Sequence, residues 1–228
     1  EGRCVRLLQG DFAKKTVYSN DPEAVAHEWV CKGAKRIHVV DLDGALSGMP
    51  TNMDIVSRIV SAVDVPVQLG GGIRTVEAAL NAVQAGVDRV MVGTAAIDKT
   101  LLLKISETIG VERILVSVDA RYGEVMVEGW TTSGGMRVSD VASNIEEQGL
   151  SRIMYTDVTR DGTLTEPNFA AIGDLASRTQ LSVIAAGGIA SVDHLVRLAE
   201  LGIEGAVVGR ALYTGDVELA DAITSVEA

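Results

Sequence analysis

The chain repeats itself at an offset of 116 residues, and this repeat limits what it can fold into more than any single motif. Read from Val67, VQLGGGIRTVEAALNAVQAGVDRVMVGTAA aligns without a gap on VIAAGGIASVDHLVRLAELGIEGAVVGRAL from Val183. Gly71, Gly72 and Ile73 then fall on Gly187, Gly188 and Ile189, and Val92-Gly93 falls on Val208-Gly209. Upstream, RIHVVDLDGALSGMPTN from Arg36 matches RIMYTDVTRDGTLTEPN from Arg152, with Asp41 on Asp157 and Asn52 on Asn168. The repeated unit is about half the chain, which divides near residues 110 and 111.

Within each unit a short apolar run leads into a Gly-Gly turn and an amphipathic stretch, then a second apolar run leads into Gly and another such stretch. Strand-like runs lie at Arg36–Asp41, Val65–Leu69, Arg89–Val92, Arg113–Asp119, Arg152–Asp157, Ser182–Ala186 and Gly205–Val208. Helical spacing of apolar residues predicts helices over Pro22–Lys32, Met53–Ala62, Val76–Ala85, Thr100–Ile109, Val138–Gln148, Phe169–Ser177, Val192–Leu201 and Val217–Val226. Asp21-Pro22 and Ser191 are helix starts, and Gly33, Gly86, Gly110, Gly149 and Gly202 follow helices where a left-handed residue belongs. Strict alternation of this kind reads as a parallel α/β fold, a (β/α)8 TIM barrel built as one domain over residues 1–228 from two half-barrel repeats.

A closed barrel of this kind has eight strands, and the apolar runs supply one fewer. In the second half, the run ending at Asp119 is followed by a polar hairpin, ARYGEVMVEGW, whose first-half counterpart is EGRCVRLLQG at residue 1. The repeat therefore leads us to expect that the first barrel strand, and the mate of Asp119, are missing from this sequence.

Composition agrees with a buried parallel sheet. Of 228 residues, 47% are hydrophobic and only 4% aromatic, the balance of strands built from Val, Ile, Leu and Ala. A chain of this length buries roughly 70–75% of its unfolded surface and holds a core without staples. Cys4 and Cys31 match no metal-ligand spacing or disulfide framework, so no metal and a reducing cytoplasm are expected. No run reaches a membrane span. A net charge of −11 with a pI near 4.7 argues against nucleic acid.

A strand-to-helix junction presents bare backbone N–H groups and the positive end of a helix dipole, which suits phosphate. Gly71, Gly72, Gly93, Gly187, Gly188 and Gly209, with Thr94 and Arg210 after the second glycine of each unit, are the candidate phosphate-binding residues. Two such cradles related by pseudo-symmetry imply a small-molecule bisphosphate, and backbone amides bind it without altering the net charge.

EGRCVRLLQGDF, HVVDLDGALSG, VQLGGGIRT, SVDARYGEVMVEGW, YTDVTRDGTLTEPN and VVGRALY together resemble, nearly end to end, the ProFAR isomerases of histidine biosynthesis. The resemblance implies an Amadori rearrangement of an aminoaldose to an aminoketose with no metal and no organic cofactor. Such chemistry needs one proton delivered to the ribose ring oxygen and one taken from C2. By the resemblance Asp119 is the general acid, and the general base is the aspartate expected ahead of Glu1. Thr156 and Asp161 are the supporting catalytic candidates, although Asp161-Gly162 also reads as a turn dipeptide. Arg6, Asp41, Arg74, Trp130 and Asp157 are the substrate-binding candidates, Trp130 as a ring able to stack on a flat heterocycle. His27, His38 and His194 read as structural.

Three alternatives stand beside this reading. Relatives that also isomerise phosphoribosylanthranilate carry an arginine two residues before the loop tryptophan; here that position is Glu128, which favours a single substrate. The sister cyclase shares the repeat but is less similar in the HVVDLDGAL and YTDVTRDGTL segments. An inert phosphate-binding barrel remnant is the third. The protein is expected to work as a monomer, without nucleic acid or membrane.

Overall fold

Local chemistry places the helix starts where the sequence puts them. The Asp21 side chain accepts from the Ala24 N–H and Pro22 fills the first turn, where its missing N–H leaves no bond unmade. Ser191, Thr75, Asp98 and Asn168 cap their helices in the same manner. The structure, a computed structural model, describes residues 2–8, 11–93, 98–127, 130 and 132–227, with the backbone alone for Leu8 and Phe12.

In chain order the first half holds β1 (Cys4–Leu8), β2 (Asp11–Ser19), α1 (Pro22–Cys31), β3 (Ile37–Val40), α2 (Leu42–Ser47), α3 (Met53–Ala62), β4 (Val67–Gly70), α4 (Val76–Gln84), β5 (Arg89–Val92) and α5 (Lys99–Ile109). The second holds β6 (Ile114–Arg121), β7 (Glu124–Val127), β8 (Thr132–Arg137), α6 (Val138–Glu147), β9 (Arg152–Asp157), α7 (Phe169–Arg178), β10 (Ser182–Ala186), α8 (Val192–Glu200), β11 (Gly205–Val207), α9 (Arg210–Thr214) and α10 (Leu219–Glu227). Every expected strand and long helix is present, with ends shifted by up to two residues. The short helices α2 and α9 are additions; six and five residues are too few to show a helical period.

Seven parallel strands run in the order β11-β10-β9-β6-β5-β4-β3, and helices connect them. This is the nearly closed barrel of a (β/α)8 fold. β6 pairs with β5 on one side and β9 on the other, joining the two halves. β3 and β11 end the path and are not paired with each other among the described residues.

The expectation of an absent first strand is corrected here: the chain opens on a strand, β1. It pairs antiparallel with β2 and not within the parallel sheet. Two residues separate the pair in sequence, and so short a connection permits only antiparallel pairing, since a parallel neighbour needs a crossover of a dozen or more residues. β7 and β8 form the matching hairpin in the second half. Tyr18 of β2 stacks on Tyr213 at 4.5 Å and Trp29 meets the same ring edge-on at 5.5 Å, which docks the first hairpin against α1 and α9.

The main core lies between strands and helices. Leu69, Leu102, Ile105, Ile114, Ile145 and Ile153 are fully buried there, each worth about 1.5–3 kcal/mol of transfer free energy. Inside the barrel, Met91, Leu115, Met154 and Ile184 form a separate apolar plug. Charged pairs at the N-terminal ends of the strands also follow the repeat. Arg36 pairs with Asp88, and their mates at an offset of 116, Arg152 and Glu204, meet at 2.8 Å. Arg89 joins the second pair, 2.9 Å from Glu204.

Candidate active site

A cavity of about 1060 Å³ occupies the barrel, lined by Arg36, Arg89 and Glu204 near the N-terminal ends of its strands and, towards their C-terminal ends, by Asp119, Thr156, Asp161, Trp130, Gly72 and Gly188. Barrel folds place reactive groups at that end because the loops there converge.

Asp119 ends the apolar run of β6. Parallel pairing sets it opposite Thr156 of β9. The Trp130 indole N–H donates to Asp119 Oδ2 at 2.8 Å. Burial pushes the Asp119 carboxyl above its ordinary value; hydrogen bonds from Trp130 and Thr156 pull it down without cancelling that effect, and the nearby charge of Asp161 adds to the rise. Trp130 holds a left-handed backbone, φ 72°, which an indole side chain rarely adopts. Such strain at a cavity wall fits a residue placed for function.

Asp161 is buried in the loop after β9 and forms an ion pair with Arg6 of β1. The first hairpin is thereby tied to the loop beside Asp119. Arg210, at the start of α9, donates to the Gly162 carbonyl at 2.6 Å and so holds the same loop.

Asp41, which lines the cavity, and Asp157 each hold a network of hydrogen bonds. Asp41 is buried and accepts from the N–H groups of Gly44, Thr51 and Asn52 and from the Asn52 side chain. Burial raises its pKa, but these bonds outweigh that and hold the carboxyl below its ordinary value. Asp157 accepts from Thr159 and, at 2.7 Å, from the Asn168 side chain. Both carboxylates brace the loop that follows their strand. Arg74 likewise donates to the Ala45 carbonyl at 3.1 Å, at the end of α2.

The Gly-Gly turns press against those braced loops. A Cβ on Gly71 would lie 2.1 Å from the Asp41 carbonyl oxygen, and one on Gly188 would lie 2.3 Å from that of Glu166. Close backbone approach thus accounts for glycine at these positions. Gly93 and Gly209 differ, since among the described residues a Cβ on Gly93 meets nothing within 4 Å and one on Gly209 meets only the Arg6 guanidinium at 3.9 Å. Thr94 and Glu128 lie outside the described residues.

Sequence reading missed one pair in the cavity wall, His38 of β3 and Gln68 of β4, 2.6 Å apart. The repeat carried the signal: their mates 116 residues on are Met154 and Ile184.

Fold and site define an α/β-barrel enzyme with its reactive groups at the C-terminal mouth. Residues 1–218 match the family described as "Histidine biosynthesis protein", and the chain belongs to that family. It is 50% identical over 227 residues, 99% of its length and 95% of the relative's, to the 1-(5-phosphoribosyl)-5-((5-phosphoribosylamino)methylideneamino) imidazole-4-carboxamide isomerase of Roseiflexus sp. (strain RS-1). The equally named protein of Chloroflexus aurantiacus is 49% identical over 98% of this chain and 92% of its own, and that of Herpetosiphon aurantiacus 49% over 100% and 95%.

Proposed function

We propose that the protein is the aldose-ketose isomerase of histidine biosynthesis that converts ProFAR to PRFAR by an Amadori rearrangement. One observation carries this: Asp119, a carboxyl with a raised pKa, lines the same cavity as Gly72 and Gly188, the turns of the two repeats. A bisphosphate spanning those turns sets its reacting sugar beside Asp119.

In this reading Asp119 gives its proton to the ribose ring oxygen as the C1–O bond breaks. A carboxyl that stays protonated to higher pH suits that task. Thr156 and Trp130 orient it; burial keeps its pKa high, and the charge of Asp161, held by Arg6, adds to that. A base takes the C2 proton of the opened, protonated imine to give the enolamine; a proton then returns to C1 as the enol O–H gives up its own, so the aminoketose has the same atoms as the substrate. The backbone N–H groups near Gly71, Gly72, Gly93 and Thr94 hold one phosphate; those near Gly187, Gly188 and Gly209, with Arg210, hold the other.

No helix among the described residues is long and apolar enough to cross a membrane. In this reading the protein works in the cytoplasm, as a monomer, on a small molecule. The test is to incubate the protein with the aminoaldose and follow the ketose by NMR. Ketose formation is the expected result, and its absence under conditions where the protein is folded overturns the reading.

A further inference from the structure

The two halves of the barrel differ at one place where the repeat predicts likeness. In the second half, Met154 of β9 and Ile184 of β10 stand opposite each other in register and complete the apolar plug. Their mates in the first half, His38 of β3 and Gln68 of β4, stand in the same register and are polar.

The substitution is costly to the fold. Gln68 is 2% exposed, and its Oε1 has no hydrogen-bond partner among the described residues. An unpartnered buried amide oxygen costs about 1–3 kcal/mol. The mates show that this scaffold accepts apolar side chains at both positions, so packing does not explain the polar pair.

The geometry does suggest a use. The Gln68 amide nitrogen donates to His38 Nδ1 at 2.6 Å. Burial lowers the His38 pKa to about 4, and the Arg6 charge adds to the effect, so the ring is neutral at physiological pH. With Nδ1 accepting, the single ring proton sits on Nε2. His38 keeps partial accessibility and lines the cavity. Gln68 lies two residues before Gly70, about 6.6 Å along β4 beneath the Gly71-Gly72 turn.

We propose that Gln68 is a positioning residue: its amide fixes His38 with Nε2–H offered to the cavity, where it hydrogen-bonds a sugar oxygen of the substrate end whose phosphate rests on the Gly71-Gly72 turn. The apolar counterpart wall of Met154 and Ile184 lacks such a donor. The pair thus sets which way round the two-ended substrate lies in a doubled site. This inference rests on the isomerase reading.

The test transplants the second half's residues into the first, as Gln68→Ile alone and with His38→Met. Relief of the unpartnered oxygen predicts a thermal midpoint equal to or above that of the native protein, with inorganic phosphate binding unchanged. The kcat/KM for the aminoaldose falls by about tenfold or more, the loss of roughly one hydrogen bond to substrate. The chain has three histidines, so nitrogen-15 NMR of the imidazoles resolves His38. The expected spectrum shows a bare Nδ1 in the native protein and a mixture of tautomers in Gln68→Ile. Unchanged kcat/KM in both variants, or an unchanged tautomer in Gln68→Ile, overturns the proposal. Should the double variant not fold, Gln68→Met is judged by the same two readouts. A native protein without turnover overturns the isomerase reading and leaves the tautomer measurement to decide the role of Gln68; native turnover matched by the variants overturns the positioning role alone.

Discussion

The Trp130 indole N–H meets Asp119 Oδ2 at 2.8 Å, so a carboxyl drawn away from water still has a donor. The bond moderates the pKa of Asp119 without restoring it, because burial is the largest influence on that group. Stability and function pull in opposite directions here. Asp119 has a folded pKa above its unfolded one, so the native state holds the proton more tightly. Its contribution to stability is therefore lost as pH rises from the unfolded value through the raised folded value. Asp119→Asn removes that loss. We expect a higher thermal midpoint than the native protein at pH 7 and no gain near pH 3; each kcal/mol gained raises the midpoint by about 2–4 °C in a chain of this size. Calorimetry at the two pH values checks this, and an equal shift at both contradicts it.

The glycines separate into two kinds by a simple substitution. Gly188→Ala puts a methyl against the Glu166 carbonyl at a backbone φ of +79°; the strain costs at least about 1–3 kcal/mol, visible as a lower denaturation midpoint. Gly93→Ala meets no described residue within 4 Å. It leaves the midpoint within error but weakens inorganic phosphate binding in a calorimetric titration. Undiminished binding removes Gly93 from the phosphate cradle.

Asp41 predicts a loss of stability. Asp41→Ala strands the N–H groups of Gly44, Thr51 and Asn52, at a cost of about 3 kcal/mol. The folded pKa of Asp41 is held below its ordinary 3.8, so its contribution is fully present above that value and lost as pH falls through the lowered one. Urea denaturation at pH 7 shows the deficit, which narrows as pH falls through the folded pKa of Asp41.

Much of this molecule was legible because the repeat and the strand-helix alternation are written in residue types. β5, β9, β10 and α3 fall where the apolar runs end, and Asp119 stands at the barrel mouth because it closes such a run. What could not be read was decided by partners distant in sequence. Asp41 and Asp157 also brace loops, through Asn52 and Asn168, which lie eleven residues further on and which no motif marks as their partners. Arg6 meets Asp161 across 155 residues, which no spacing rule anticipates. His38 and Gln68 passed as ordinary strand residues, since the oddity of a polar pair emerges only when its register is laid over that of Met154 and Ile184. The repeat reads EGRCVRLLQG as a hairpin and leaves the first strand missing, whereas the chain opens on β1, which pairs antiparallel with β2.

The most direct measurement compares the native protein with Asp119→Asn in two assays, aminoaldose turnover and bisphosphate affinity. Turnover is expected to fall by about 10²–10⁴-fold, the usual worth of a general acid, while affinity stays within about threefold because both cradles are intact. A variant that turns over substrate at the native rate, or one that loses bisphosphate binding along with activity, contradicts the account.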